Sequence, residues 1–288
     1  MEFPGKKITL VECPRDAMQG WSHIIPTEKK IAYINALLNV GFNTIDFGSF
    51  VSAKAIPQMA DTKEVASHLQ LVNTKSKLLA IVANERGAIE AINYEAISFL
   101  GYPFSISETF QQKNTNAGIN ESLERVARIQ SICIGAGKQL VVYISMGFGN
   151  PYGDPYNEKI VGEWAGKLVE LGIKIISLAD TVGLATAEQV FSVTKNIIEL
   201  FPGIEIGVHL HSAPGNWKAK ADAALQAGCR RFDGALKGIG GCPMAGDDLV
   251  GNMNMEQMIA HFNSLNYSTG IENDALQNCL KMANEIFI

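Results

Sequence analysis

The sequence is short of positive charge: 24 Lys and Arg stand against 29 Asp and Glu, a formal net charge of −5. A nucleic-acid binder needs a basic face to neutralise phosphates, so that class is set aside. No uninterrupted apolar run approaches the roughly 18 residues needed to span a bilayer. The amino terminus, MEFPGKKITLVEC, lacks the basic segment, long apolar stretch and small-residue cleavage site of a leader. Cys13, Cys133, Cys229, Cys242 and Cys279 are odd in number and widely scattered, and no pair has CxxC spacing. That argues against a zinc knuckle or a disulfide framework and fits a reducing compartment. The expectation is a cytoplasmic protein with no nucleic-acid or membrane partner. No linker rich in Pro, Gly or Ser and no low-complexity tract divides the chain, so residues 1–288 read as one domain.

What is present is alternation. Short apolar runs at 8–13, 44–49, 77–83, 96–101, 139–146, 174–180, 205–211 and 230–236 read as strands. Amphipathic stretches at 27–41, 61–72, 85–94, 119–137, 158–172, 186–201, 217–228 and 254–265 read as helices, with one more at 274–287. Four helices end in glycine directly before the next strand, at Gly41, Gly137, Gly172 and Gly228, where a left-handed cap fits. Strands alternating with helices imply parallel βαβ units with right-handed crossovers. Eight evenly spaced units without a GxGxxG turn favour closure over an open doubly wound sheet. The fold class is therefore α/β, a (β/α)8 TIM barrel with an additional C-terminal helix.

In such a barrel the chemistry sits at the C-terminal ends of the strands. Polar groups collect there. Strand one runs into Glu12, Cys13, Pro14, Arg15 and Asp16; strand two contains Asp46; strand six ends in Asp180; strand seven ends in His209 and His211. Strand eight is followed by Lys237 and a glycine-rich loop, GIGGCPMAG. Side chains alternate along a strand, so His209 and His211 share a face and suit a metal ion needing two neutral nitrogens. A hydrogen-bonded histidine pair without a metal fits the same spacing. Barrel closure would bring the Asp16 carboxylate to them, and a mixed nitrogen and oxygen set favours Mg²⁺ or Mn²⁺, with other divalent metals open. Arg15 suits a carboxylate or a developing enolate oxygen, or else a structural ion pair. Asp46 and Asp180 could orient Arg15 or a bound water, or simply cap a turn. Cys242, on its glycine-rich loop, could swing over the site as proton donor or acceptor, although most isolated cysteines are inert.

These residues fall in motifs that carry a resemblance. VECPRDAMQ (11–19), SFVSAKAIPQMAD (49–61), ETFQQKNTN (108–116), LADTVGLATA (178–187), VHLH (208–211) and GIGGCPMA (238–245) resemble, in order, those of the 3-hydroxy-3-methylglutaryl-CoA lyase family. That family lies within a metal-dependent barrel superfamily that also holds isopropylmalate and homocitrate synthases and certain keto-acid aldolases. The GxGGCP loop is the most specific element, because it carries the lyases' catalytic cysteine. The resemblance implies Mg²⁺ or Mn²⁺ held by Asp16, His209, His211 and Asn252, with Asn252 in GNMNMEQ at the place of the family's asparagine ligand. It implies cleavage of an acyl-CoA substrate to acetyl-CoA and acetoacetate, Arg15 stabilising the enolate oxygen and Cys242 protonating its carbon. A homodimer is implied as well. The sequence departs from the family at Asp46 (a glutamate there), at Ser212 (an aspartate there), and in a Cys242–Asn252 spacing one residue longer. Those departures keep open another hydroxyacyl thioester, condensation of acetyl-CoA with a keto acid, and a non-catalytic barrel.

Overall fold

The computed structural model describes residues 7–241 and 250–288. The first half of the chain forms β1 (Thr9–Glu12), α1 (Pro14–Gln19), α2 (Thr27–Leu37), β2 (Thr44–Ser49), α3 (Thr62–Ser67), β3 (Lys77–Ile81), α4 (Glu85–Ala91) and β4 (Ile97–Ser105). Next come α5 (Glu108–Thr115), α6 (Ile119–Gly135), β5 (Gln139–Ser145), α7 (Glu158–Glu170), β6 (Ile175–Asp180) and α8 (Ala187–Leu200). The chain closes with β7 (Glu205–Leu210), α9 (Trp217–Gln226), β8 (Arg231–Gly234), α10 (Met255–Ser264) and α11 (Asn273–Ile286).

The eight strands pair in parallel and in sequence order, and β1 returns to β8 with Thr9 opposite Arg231 and Glu12 opposite Gly234. This is the expected closed barrel. Strand faces explain the core. One face packs on the helices in a continuous apolar layer, and the other fills the bore with Leu79, Val141, Tyr143 and Ile175. The four glycines before strands all adopt positive φ, 97° at Gly41, 66° at Gly137, 84° at Gly172 and 101° at Gly228, which a residue without Cβ takes without strain.

Three local differences from the sequence reading are seen. Arg15 and Asp16 do not extend strand one; β1 ends at Glu12 and the chain turns into α1 with Pro14 in its first turn, where a missing N–H costs nothing. β4 runs on to Ser105 through Pro103, four residues past the expected strand end at 101. The stretch from Glu108 to Thr115 is helical although it is mostly polar, because the Ser107 side chain accepts from the Phe110 amide and caps it. Among the described residues, no helix is long and apolar enough to cross a membrane.

Candidate active site

A cavity of about 470 Å³ opens at the C-terminal end of the barrel, with Arg15, Asp16, His209 and His211 among its lining residues. α1 delivers the first pair. Its single turn and a half puts Arg15, Asp16 and Gln19 on one side, three and four residues apart, where helical side chains meet. The Arg15 Nη1 group donates to Asp16 Oδ1 and to Gln19 Oε1, both at 2.9 Å, and Gln19 Nε2 donates to Asp16 Oδ1 at 2.7 Å. From β2, Asp46 accepts from Arg15 Nε at 3.1 and 3.2 Å and from Nη2 at 2.5 Å. The pairing of β2 with β3 shifts register between Asp46 and Gly48, the kind of irregularity that re-aims a side chain. Asp46 therefore reaches Arg15 despite being a methylene shorter than glutamate. Among the described residues, four of the five guanidinium protons are engaged in this way, and one Nη2 proton has no partner.

The second carboxylate oxygen of Asp16 faces the histidines. Asp16 Oδ2 lies 4.0 Å from His209 Nε2, 3.9 Å from His211 Nε2, and accepts from Asn252 Nδ2 at 2.8 Å. His211 and Asn252 are joined by an antiparallel bridge beyond the end of β7. Behind His209, Nδ1 meets Asp233 Oδ2 at 3.3 Å, and the His211 ring lies beside the Thr181 backbone. Each Nε2 is thus turned toward the same carboxylate oxygen, and such fixing of the far ring nitrogen is the usual support of a metal-bound histidine.

Whether these residues fit a cation can be judged from atoms left without partners. His211 Nε2 and Asn252 Oδ1 are buried acceptors with no hydrogen-bond partner among the described residues. Twelve other buried side-chain atoms among the described residues share that lack, so the case rests on the place of these two residues beside Asp16. Water could serve each singly, but nitrogen and oxygen donors of Asp16, His209 and His211, all within 4.8 Å of one another, suit one cation better. The donor set fits. A second convergent group, Cys13, His209 and Asp233, reads instead as the backing of His209. Burial and nearby acids push the Cys13 thiol well up, so it stays protonated and is a poor ligand.

Electrostatics agree with this arrangement. Burial opposes ionisation of Asp16, yet Arg15 and the two histidines hold its carboxyl at about 2. Burial, aided by His209, lowers His211 to about 4, so it is neutral at pH 7. For His209, burial is outweighed by its bond to Asp233 and the charge of Asp16, and its pKa rises. Asp46 is raised by burial and pulled back by Arg15.

Not every residue singled out from sequence joins this cluster. Asp180 does not line the cavity; its carboxylate pairs with Lys220 Nζ at 2.7 Å, both side chains 2% exposed. Lys237 is exposed and reaches Asn284 rather than the mouth. Cys242 lies outside the described residues. Sequence reasoning missed Asp233, Thr181 and Lys220. Only Asp233 left a signal, as a lone acid in an apolar strand, and its register opposite His209 needed the closed barrel to become visible.

Comparison with known proteins places the chain in a family. The HMGL-like family model matches residues 8–283. Hydroxymethylglutaryl-CoA lyase YngG of Bacillus subtilis is 34% identical, over 99% of this chain and 94% of its own length. The (R)-citramalyl-CoA lyase of Chloroflexus aurantiacus is 32% identical, over 93% and 87%. An HMG-CoA lyase of Acinetobacter baumannii, solved with coenzyme A and 3-methylmalate, superposes with a TM-score of 0.92 at 30% identity, covering 100% of this chain and 93% of that one. The chain belongs to the HMGL-like family.

Proposed function

We propose that this chain is a carbon–carbon lyase that cleaves 3-hydroxy-3-methylglutaryl-CoA, or a close 3-hydroxyacyl-CoA, into acetyl-CoA and acetoacetate by a divalent-metal-dependent retro-Claisen reaction. The observation that carries it is the convergence of Asp16, His209, His211 and Asn252 beside Arg15, at the mouth of a cavity, in a chain of this family. Asp16, His209, His211 and Asn252 would hold a divalent cation, Mg²⁺ or Mn²⁺ before other divalent metals, and it would supply Lewis acidity for this cleavage. Asp46, Asp16 and Gln19 lock the Arg15 guanidinium so that its remaining proton meets the thioester oxygen as negative charge develops. The hydroxyl proton passes to solvent, the bond between the carbinol carbon and the thioester's α-carbon breaks, and its electron pair passes to the enolate. A proton returned to that carbon completes acetyl-CoA. This last role falls to Cys242, on its motif alone.

The cavity wall suits the acyl group: Val51, Ile81, Pro103 and Tyr143 give apolar surface for a methyl branch, and Lys113 with Asn84 and Asn114 gives polar lining for the coenzyme arm. The chain is taken to work as a single catalytic domain, as a homodimer, in the cytoplasm.

Incubation with HMG-CoA and Mg²⁺, with and without chelator, tests the reading by product identity. Acetoacetate that appears only without chelator is expected; condensation of acetyl-CoA with a keto acid, and no acetoacetate, would overturn it. A second reading has its own support, the resemblance to a citramalyl-CoA lyase, and the same assay with citramalyl-CoA separates the two. Cys242→Ala should lower turnover by about 10²-fold or more, the range for loss of a general acid, with metal binding near normal. An unchanged rate would remove the thiol from the mechanism.

A further inference from the structure

We propose that Lys220, outside the cavity, is a positioning residue that holds His211 in place as a cation ligand. The inference rests on the reading of Asp16, His209, His211 and Asn252 as ligands of one ion. Lys220 lies in the first turn of α9 and is 2% exposed. Burying an ammonium costs several kcal/mol unless every proton finds an acceptor. Here all three do: Nζ donates to Asp180 Oδ2 at 2.7 Å, to the His211 carbonyl at 2.8 Å and to the Gly183 carbonyl at 3.2 Å.

Those three acceptors are not arbitrary places. The His211 carbonyl fixes the main chain of the ligand itself. Asp180 immediately precedes Thr181, whose backbone lies beside the His211 ring, and Asp180 also accepts from the Ala185 amide at 3.1 Å. One charge therefore ties the end of β6, the turn after it and the end of β7 to α9. Asp180 then acts by holding Lys220, and neither residue touches substrate.

The test is calorimetric titration of Mn²⁺ into the full chain at neutral pH, alongside thermal unfolding without metal. Lys220→Met keeps the stem and removes the charge. The expected result is a folded protein whose Mn²⁺ dissociation constant rises 10- to 100-fold, the usual effect of removing a ligand's support. Asp180→Asn should move affinity the same way, and the double variant should be no worse than Lys220→Met, since both act through one contact. A lowered melting temperature with unchanged Mn²⁺ affinity would reduce Lys220 to a brace of the fold and overturn the inference. If Lys220→Met does not fold, Lys220→Gln, which retains an amide donor, is read against the same two outcomes. Failure of the unsubstituted chain to bind Mn²⁺ would instead remove the cation reading itself, and this one with it.

Discussion

A buried imidazole and a buried carboxylate make the site sensitive to acid in a way that can be given a sign. His211 is held at about 4, below its ordinary 6.5, by burial and by His209. Asp16 is held at about 2, below 3.8, as Arg15 and the histidines overcome its burial. Both bind fewer protons folded than unfolded, so the stability each contributes is complete above its unfolded pKa and is lost as pH falls through its folded one. His209, whose pKa is raised, works in the opposite sense. The metal-free protein should therefore lose stability between pH 6.5 and 4, with His211 contributing at most about 3 kcal/mol. Urea unfolding in chelator at pH 7 and pH 4.5 measures this. His211→Gln should flatten the difference; an equally steep loss would show that another group sets it. At this scale much was legible in the sequence: alternation gave the shared face of His209 and His211, and closure brought Asp16 to them. Of the two roles open to Asp180, the turn cap is the one seen, through the Ala185 amide, because an acid at a strand end looks the same whether it faces the cavity or a buried lysine from a helix.

Among the elements, the short ones decide the site and were the hardest to read. Periodicity identified long helices such as α6 and α8, but α1 has six residues, too few to show a repeat. Only Pro14 signalled it, and treating 13–16 as strand end still put Arg15 and Asp16 at the right rim. The segment after β8 shows how tightly such elements meet. Gly240 has φ of +109°, and a Cβ there would lie 2.6 Å from Asn252 Nδ2, 2.8 Å from the Asp16 carbonyl oxygen and 2.8 Å from Ala17 Cα. Neither backbone atom can move without shifting α1. Gly240→Ala thus carries both backbone strain and a clash, and it should separate Asn252 from Asp16. A Mn²⁺ affinity reduced at least 10-fold, with the fold kept by circular dichroism, is expected for a displaced ligand pair. Affinity equal to that of the unsubstituted chain would mean that the loop yields and that the contact does not set the site.

Across the whole molecule, the barrel mouth depends on how the chain's two ends are joined. β1 and β8 close the sheet, and the Ile8 amide donates to the Ser268 carbonyl at 3.0 Å, tying the first strand to the segment before α11. α11, legible in the sequence as a ninth helix, packs Leu276, Cys279, Ala283 and Ile286 inward. After it, Phe287 meets Trp21 edge-on at a centroid distance of 5.3 Å and Tyr33 at 6.4 Å. Trp21 follows α1 after Gly20 and secures the helix's C-terminal turn by donating its amide to the Met18 carbonyl at 2.8 Å. The last aromatic residue therefore buttresses the helix that carries Arg15 and Asp16, a long-range pairing that no local pattern could disclose. Phe287 is 7% exposed, and its truncation leaves a cavity between α1, α2 and α11. Phe287→Ala should cost about 3 kcal/mol, the lower end for a buried aromatic because the chain end can settle inward, and lower the melting temperature by several degrees. Because the damage reaches α1 and not the histidines, Mn²⁺ affinity should fall less than in Gly240→Ala, while KM for the acyl-CoA rises as Arg15 loosens. A variant that melts like the original chain would show that α1 stands without its C-terminal support.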